Sequence, residues 1–378
     1  MKHPEDPASN GGQHGLPELP GFLKLGALRE AVGRTHVQRS LWRRRSFWIA
    51  LLCSAGSIVM FLVALERGRR GTGSAPGRAA RYASRSRVGS DNRAGLPVIN
   101  GVPLYPGLPR DEIRAIDHPV FAPSSASEAS LSDEDLVVGV SFNGAARAYP
   151  LWILGTREIV NDRYGSDPVC VTFCTLSASA VVFLARVEGR ELTFGNEGAL
   201  YECNLVLYDR RTHSLWYQLR GSAIAGEHAG KRLPTIPTAV VRWADWRRCF
   251  PKSAVLVADQ RTGRFFRTLT EDRAGHSREG FGPAAPVSRM DARLPLMQKV
   301  LGFCCDGRAV CLPGARIDQL PDGGMAIPST GRSLTVRRRD GMVVVAGPDG
   351  AELTAIGAYW FAWHAAFPLT EVITNLAY

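Results

Sequence analysis

One cysteine, Cys174, stands where reactive chemistry is easiest to place in this sequence. It follows the apolar run 169–173 (VCVTF), which is typical of a β-strand, and precedes a turn of small residues, 175–180 (TLSASA). At such a strand end, turn amides or a nearby arginine can lower the pKa of a thiol and favour the nucleophilic thiolate. The pattern indicates thiol chemistry at Cys174. The alternative is a buried cysteine that packs as a small apolar side chain.

Polar and aromatic residues on both sides of Cys174 form the candidate binding site. The candidate ligand-binding residues are Arg157, Glu158, Asn161, Asp162, Ser177, Tyr208, Asp209, Trp216 and Gln218. The last four belong to a strand–turn–strand pattern across residues 205–218. Because adjacent strand residues face opposite ways, either Trp216 or Tyr217 points outward and could line a pocket. A core position for both aromatic rings is the alternative.

The other cysteines do not indicate a disulfide framework or a metal centre. The eight cysteines are Cys53, Cys170, Cys174, Cys203, Cys249, Cys304, Cys305 and Cys311. Cys170 and Cys174 lie four residues apart on one strand, roughly 13 Å, which is too far for a disulfide. Without C-x-x-C spacing or histidines at i and i+4, a structural zinc site is not expected. The sequence predicts no metal and no cofactor.

The elements that must position these residues are mostly strands. Apolar and β-branched runs predict strands at 136–142, 169–173, 181–186 and 342–346. The dipeptides at 143–144, 306–307 and 340–341 (NG, DG, DG) predict two-residue hairpin turns, and 188–189 (EG) predicts a weaker one. Helical patterning is confined to 243–249 and 358–366. The fold class predicted is α+β, predominantly antiparallel β.

Two hairpins in the sequence resemble each other. Residues 139–150 (GVSFNGAARAYP) align without gaps with 302–313 (GFCCDGRAVCLP). Each has a strand, an Asx-Gly turn and a returning strand that ends at proline. This indicates two related halves, about 96–260 and 261–378, with a site in the cleft between them. The alternative is chance similarity between two ordinary hairpins.

The net charge of +11 does not indicate nucleic-acid binding. The basic surplus is concentrated in residues 1–46 and 66–93, which leaves the remainder of the chain from residue 94 onward close to neutral. A basic face on a folded domain, the usual mark of nucleic-acid recognition, is therefore not expected. The composition of the two basic stretches predicts a disordered tail (1–46) and a flexible linker (66–95).

An uncharged apolar segment at residues 47–65 (FWIALLCSAGSIVMFLVAL) predicts a single transmembrane helix. A cleaved signal peptide and a buried core helix are the alternatives. The basic residues on its two sides nearly balance, but Arg43, Arg44 and Arg45 directly precede it while Glu66 follows. We expect a single-pass inner-membrane anchor with the folded domain (96–378) outside the cytoplasm, in the periplasm.

Several ordered motifs resemble the bacterial family named domain of unknown function 3179, whose members are also described as (seleno)proteins. The motifs are 135–140 (DLVVGV), 146–150 (ARAYP), 158–162 (EIVND), 171–174 (VTFC), 192–195 (LTFG), 208–210 (YDR), 214–218 (SLWYQ) and 223–226 (AIAG). The resemblance runs from residue 111 to about 260 and returns at 359–372. In that family the strand-end turn typically carries C-P-L-C-G, which implies dithiol or thiol–selenol redox chemistry.

This sequence departs from the family pattern at two positions. Ser177 stands at the second cysteine position, and a serine cannot resolve a mixed disulfide. Arg157 stands at a position that is typically histidine, and its guanidinium cannot shuttle protons, although it could hold Cys174 as a thiolate or grip an anion.

Two functional hypotheses follow from these departures. The first is a ligand- or partner-binding module with a degenerate thiol site, whose partner is an unknown small molecule or protein. The alternative is a monothiol redox or thiol-transfer protein that uses Cys174.

Overall fold

The computed structural model describes residues 97–127, 131–257, 282–321, 324–329, 332–339 and 342–374. All the described residues belong to one compact unit. The predicted tail, transmembrane segment and linker (1–95) lie outside the described residues. Among the helices that are described, none combines the length and apolar character needed to cross a bilayer.

Strands make up most of the regular secondary structure among the described residues. In chain order they are β1 (Val98–Ile99), β2 (Val102–Pro103), β3 (Tyr105–Pro106), β4 (Val120–Pro123), β5 (Leu136–Phe142), β6 (Ala145–Pro150), β7 (Ile159–Tyr164), β8 (Asp167–Cys174), β9 (Ser179–Leu184), β10 (Arg186–Val187), β11 (Arg190–Glu191), β12 (Phe194–Tyr201), β13 (Asn204–Asp209), β14 (Leu215–Tyr217), β15 (Ser222–Ala225), β16 (Thr235–Ile236), β17 (Thr238–Arg242), β18 (Ala254–Val257), β19 (Lys299–Cys305), β20 (Arg308–Pro313), β21 (Met325–Ser329), β22 (Arg332–Arg339), β23 (Met342–Ala346), β24 (Glu352–Leu353), β25 (Ala355–Tyr359) and β26 (Glu371–Val372). The helices are short: α1 (Ser124–Ser127), α2 (Leu151–Arg157), α3 (Trp243–Cys249), α4 (Gly314–Asp318), α5 (Trp360–Ala366) and a 3₁₀ turn (Gln218–Arg220).

The strands form five sheets of four or five strands and two small ribbons. The sheet orders are β15-β14-β13-β12-β3, β16-β9-β8-β7, β17-β5-β6-β18-β4, β25-β19-β20-β26 and β21-β22-β23-β24, with ribbons β1-β2 and β10-β11. Within these sheets, only β6–β18 and β20–β26 pair in parallel. The prediction of a β-rich, mainly antiparallel fold with few helices is confirmed.

Three predicted hairpin turns form as two-residue turns with both central residues at positive φ. The φ angles are 48° and 75° at Asn143 and Gly144, 50° and 76° at Asp306 and Gly307, and 49° and 79° at Glu188 and Gly189. Asparagine, aspartate and glycine tolerate this left-handed region better than other residues, so the turns fix the registers of their hairpins. The predicted turn at 340–341 lies outside the described residues.

Each of the two similar hairpins belongs to an arrangement of four strands with the same pairing pattern, which we call a frame. In the first frame, β5 and β6 pair with each other, β17 joins β5 antiparallel and β18 joins β6 in parallel. In the second frame, β19 and β20 pair, β25 joins β19 antiparallel and β26 joins β20 in parallel. Each hairpin ends at a proline, Pro150 or Pro313, that leads directly into a short helix.

A tryptophan from a later helix packs on the glycine that starts each aligned segment. A Cβ placed on Gly139 would lie 2.2 Å from the Trp246 ring, and one placed on Gly302 would lie 2.3 Å from the Trp363 ring. Only glycine leaves room for an indole that close to the strand. The two frames therefore share an obligatory contact between glycine and tryptophan.

The surroundings of the two tryptophans also match. Trp246 stacks on Phe250 and Trp363 on Phe367, each with ring centroids 4.2 Å apart and an interplanar angle of 32°. Each indole Nε1 donates a 2.9 Å hydrogen bond to a hydroxyl seven residues later in the chain.

The two frames differ in the segment that each inserts between its hairpin helix and its outer strand. The first frame inserts residues 158–237, which form the sheets that contain β7–β9 and β12–β15. The second inserts residues 319–354, which form the sheet β21–β24. The large insertion of the first frame carries Cys174 and all the other predicted site residues except Arg157, which ends α2.

Candidate functional site

Cys174 is the last residue of β8 and faces the protein interior. Its side chain is only 1% exposed and belongs to the core cluster that also contains Ile159 and Leu205. The expectation of an accessible thiol is wrong. The reason is that the turn after β8 folds back at once, so that Cys174 pairs with Ser179, and Ala178 adopts a positive φ of 53°.

The environment of Cys174 favours the protonated thiol. Burial raises the pKa of Cys174, and the negative charge of Glu158 raises it further. Hydrogen bonds with Ser177 and with the backbone of Leu205 lower the pKa but do not offset the burial. At neutral pH the sulfur is therefore not a ready nucleophile.

Glu158 brings a buried carboxyl close to Cys174. It follows α2 in the left-handed conformation, with a φ of 58°. Burial raises the pKa of Glu158 to about 7, while a 2.6 Å hydrogen bond from Asn196 Nδ2 lowers it. A non-glycine residue at positive φ has a strained backbone, and burying its carboxyl adds the free-energy cost of desolvating a charge. Both features are common at functional sites.

Arg157 does not perform the role expected from sequence. It lies in the last turn of α2, and its side chain is exposed. The charged group that acts most strongly on Cys174 is the carboxyl of Glu158, which opposes thiolate formation. The prediction that Arg157 stabilises a Cys174 thiolate is therefore not supported by the geometry.

Ser177 belongs to a buried polar network. Its hydroxyl lies 2.8 Å from the hydroxyl of Ser179 and accepts a 2.8 Å hydrogen bond from Asn204. Gln218 accepts from Ser179 and Asn204, each at 3.0 Å, and donates to Thr172 at 3.0 Å. All five side chains are fully buried. Ser177 and Gln218 are thus held by partners inside the protein.

Asn161 and Asp162 lie on opposite faces of β7 and connect different parts of the structure. The Asn161 amide exchanges two 2.9 Å hydrogen bonds with the backbone of Phe194 on β12. Asp162 accepts hydrogen bonds of 2.6 Å from Arg147 and from the Tyr149 hydroxyl. These contacts join neighbouring sheets, and the two side chains do not converge on Cys174.

Tyr208, Asp209 and Trp216 also have structural partners. The buried Asp209 carboxylate accepts a 3.0 Å hydrogen bond from Trp216 Nε1, which holds both residues in the core. The Tyr208 hydroxyl donates a short hydrogen bond to Asp111, and the guanidinium of Arg110 lies 4.3 Å from the centre of the Tyr208 ring. Of the predicted binding residues, Glu158 and Ser177 are the main influences on the pKa of Cys174.

Sequence reasoning missed a segment, residues 105–117, that crosses β12. Within it the Asp111 backbone amide donates to the Asn196 carbonyl at 2.9 Å. A Cβ on Gly198, which has a φ of 77°, would lie 2.0 Å from the Leu108 carbonyl oxygen. The glycines of β12 (Gly195 and Gly198) are the sequence signal that could have predicted this close backbone approach.

The described cysteines differ in exposure. Cys304 is exposed, Cys249 and Cys305 are partly exposed, and the other four described cysteines are buried. Cys170 and Cys203, which could have served as resolving thiols, are among the fully buried ones. Within the described ranges, no three His, Cys, Asp or Glu side chains converge in a way that could hold a metal ion.

Comparison with known proteins gives one match. The family model described as "Protein of unknown function (DUF3179)" matches residues 110–349, which is more than half of the chain. No curated protein and no solved structure matches the sequence.

Proposed function

This chain belongs to the DUF3179 family of proteins of unknown function, and we propose that it is a ligand- or partner-binding module with a degenerate thiol site. The observation that carries the proposal is the state of Cys174. The thiol is enclosed in the core, and burial together with Glu158 raises its pKa. A redox centre needs an accessible thiolate, which this arrangement opposes.

The second position of the thiol site supports the same proposal. A dithiol cycle needs a resolving sulfur, and Ser177 supplies a hydroxyl instead. That hydroxyl is engaged by Ser179 and Asn204 inside a closed network, so its role is to hold the turn. The scaffold is kept while the redox pair is incomplete.

We propose that this module lies outside the cytoplasm and is anchored to the membrane by one transmembrane helix. It draws on residues 47–65, an uncharged run long enough to span a bilayer, with Arg43–Arg45 directly before it. Fusing a reporter enzyme that is active only in the periplasm after residue 378 tests this orientation. Activity of a cytoplasm-specific reporter at the same position would contradict it.

Alkylation of the native full chain tests the thiol part of the proposal. We expect iodoacetamide at pH 7 to modify Cys174 at least about a hundredfold more slowly than a free thiol, because the sulfur is enclosed and protonated. Digestion and mass spectrometry identify the modified residue. Cys304 is the matched control, because it is the exposed cysteine of the described chain and should react readily.

A second candidate function is monothiol chemistry at Cys174, and one observation favours it. The Glu158 carboxyl has a pKa of about 7 and interacts with the thiol, as a general base for that thiol would. On this hypothesis native Cys174 reacts faster than a free thiol, and Glu158→Gln abolishes the excess. That pair of results would replace the binding-module proposal.

A further inference from the structure

Two arginines, Arg220 and Arg232, lie on neighbouring antiparallel segments beside the candidate site. Arg220 ends the 3₁₀ turn, and Arg232 pairs with Ser222 in an isolated antiparallel bridge. The backbone amide of Leu233 donates to the Gly221 carbonyl at 2.9 Å. The main chain thus holds the two arginines close together.

The backbone around Arg220 is fixed from the buried side. Gln218, which begins the 3₁₀ turn, belongs to the buried polar network of Ser177. The Leu219 amide donates to Asn204 Oδ1 at 3.2 Å, and Gly221 ends the turn with a φ of 58°. A ligand group at Arg220 would therefore meet a preorganised backbone.

Arg220 forms no ion pair with a described carboxylate, although the Glu202 carboxylate acts, as Arg220 does, on Tyr201 and Tyr217. No carboxylate of the described residues forms an ion pair with Arg220 or Arg232, and Arg220 Nε is buried without a hydrogen-bond partner among them. The guanidinium lies 5.4 Å from the centre of the Phe367 ring. Burial lowers the pKa of Arg220, and the positive charge of Arg232 lowers it further. Holding an exposed cation beside a partly desolvated one is unfavourable until an anion joins them.

Tyr217 adds an unused hydrogen-bonding group beside Arg220. Its side chain is 2% exposed, and its ring packs edge-on against Tyr201. Burial and the negative charge of Glu202 raise the pKa of Tyr217, while the positive charge of Arg220 lowers it. The Tyr217 hydroxyl has no hydrogen-bond partner in the described part of the chain. Buried hydroxyls are nearly always hydrogen-bonded, so the missing partner is expected to come from outside the described residues.

Cys304 borders the two arginines from the second frame. It is exposed by surface area, and partial burial of the sulfur raises the pKa of Cys304, while the positive charges of Arg232 and Arg220 lower it. The reaction rate of the Cys304 thiol can therefore report on the two arginines without involving Cys174.

We propose that Arg220 and Arg232, with the Tyr217 hydroxyl, bind the carboxylate or phosphate group of an anionic small molecule, with Cys304 at the edge of this site. Guanidinium groups match the two oxygens of such anions with paired N–H donors, and a tyrosine hydroxyl can donate a further hydrogen bond. The inference rests on the proposed function and deepens it, because it names the charge and chemical class of the ligand.

The test measures how fast Cys304 of the full chain, in detergent, reacts with two disulfide reagents. One reagent is the dianionic dithiobis(nitrobenzoate), and the other is the uncharged dithiodipyridine. Relative to free cysteine, we expect Cys304 to prefer the anionic reagent about tenfold, and this preference should fall to about that of free cysteine in Arg220→Gln and Arg232→Gln. Peptide mass spectrometry identifies the reacting thiol, and Cys304→Ser removes the signal.

Competition with small anions completes the test. Inorganic phosphate or succinate should slow the anionic reagent about fivefold, whereas sodium chloride at equal ionic strength should slow it less. A slowing by phosphate alone supports a phosphate ligand, and a slowing by succinate alone supports a carboxylate.

The inference is overturned if neither anion exceeds the chloride effect and Arg232→Gln keeps the preference for the anionic reagent. Arg232 is exposed, so its replacement should leave the melting temperature unchanged and the result interpretable. Rapid labelling of Cys174 in the same digest would contradict the proposed function. The effect of anions on the Cys304 reaction rate is measured independently and tests only the anion site.

Discussion

Replacing Glu158 by glutamine should make the stability of this protein depend less on pH. The wild-type carboxyl is buried at the end of α2 and accepts a hydrogen bond from Asn196. A glutamine side-chain oxygen can accept the same hydrogen bond, so the variant removes the charge and keeps the contact. The two proteins differ only where the carboxyl would be ionised.

The size of the effect follows from the shift of the pKa. Burial raises the pKa of Glu158 from 4.5 to about 7, and each unit corresponds to about 1.4 kcal/mol. The folded state therefore holds a proton that the unfolded chain has released between pH 4.5 and 7. The stabilisation from the neutral carboxyl is fully present below pH 4.5 and is lost as the pH rises through 7, a change of about 3 kcal/mol.

Urea unfolding of the full chain in detergent, followed by tryptophan fluorescence at pH 4.5 and pH 8, measures this change. We expect Glu158→Gln to match wild type at pH 4.5 and to exceed its free energy of unfolding at pH 8 by up to about 3 kcal/mol. Glu112→Gln, at an exposed glutamate, is the matched control. A Glu158→Gln variant destabilised equally at both pH values would refute the reasoning.

Two further predictions concern packing and a buried ion pair. Gly302→Ala should lower the free energy of unfolding by about 3 kcal/mol, because its Cβ would lie 2.3 Å from the Trp363 ring. Gly357→Ala, on the adjacent strand with open space around it, should change it by less than about 0.5 kcal/mol, and similar melting temperatures for the two variants would contradict the contact. Asp162→Ala should cost about 3 kcal/mol, because it leaves the partly buried Arg147 guanidinium without its carboxylate. Chemical denaturation that finds no loss would show that the ion pair contributes little.

Local patterns predicted the strands, the turns and one helix well. The predicted runs 136–142 and 342–346 coincide with β5 and β23, and 243–249 coincides with α3. The predicted helix 358–366 begins at Trp360, because the two residues before it complete β25 beside β19. These features depend on neighbouring residues, whose alternation and turn chemistry are visible in a single sequence.

The position of Cys174 could not be predicted in the same way. Its burial results from residues distant in sequence, since the backbone of Leu205 and the side chain of Glu158 enclose it from other strands. The segment 105–117 reaches β12 through a hydrogen bond between Asp111 and Asn196, which are far apart along the chain. No local signal marked Glu158 or Ala178 as left-handed residues, because neither is glycine.

The two frames allow the same substitution to be compared at two places in one protein. A Cβ placed on Gly139 would lie about as close to the Trp246 ring as a Cβ placed on Gly302 would lie to the Trp363 ring. The two frames nevertheless carry insertions of different size. Matched alanine substitutions at the two glycines introduce the same steric conflict in two settings. Any inequality in their effects reports how strongly each insertion is coupled to the frame that carries it, which is a thermodynamic measurement that needs no homologous protein.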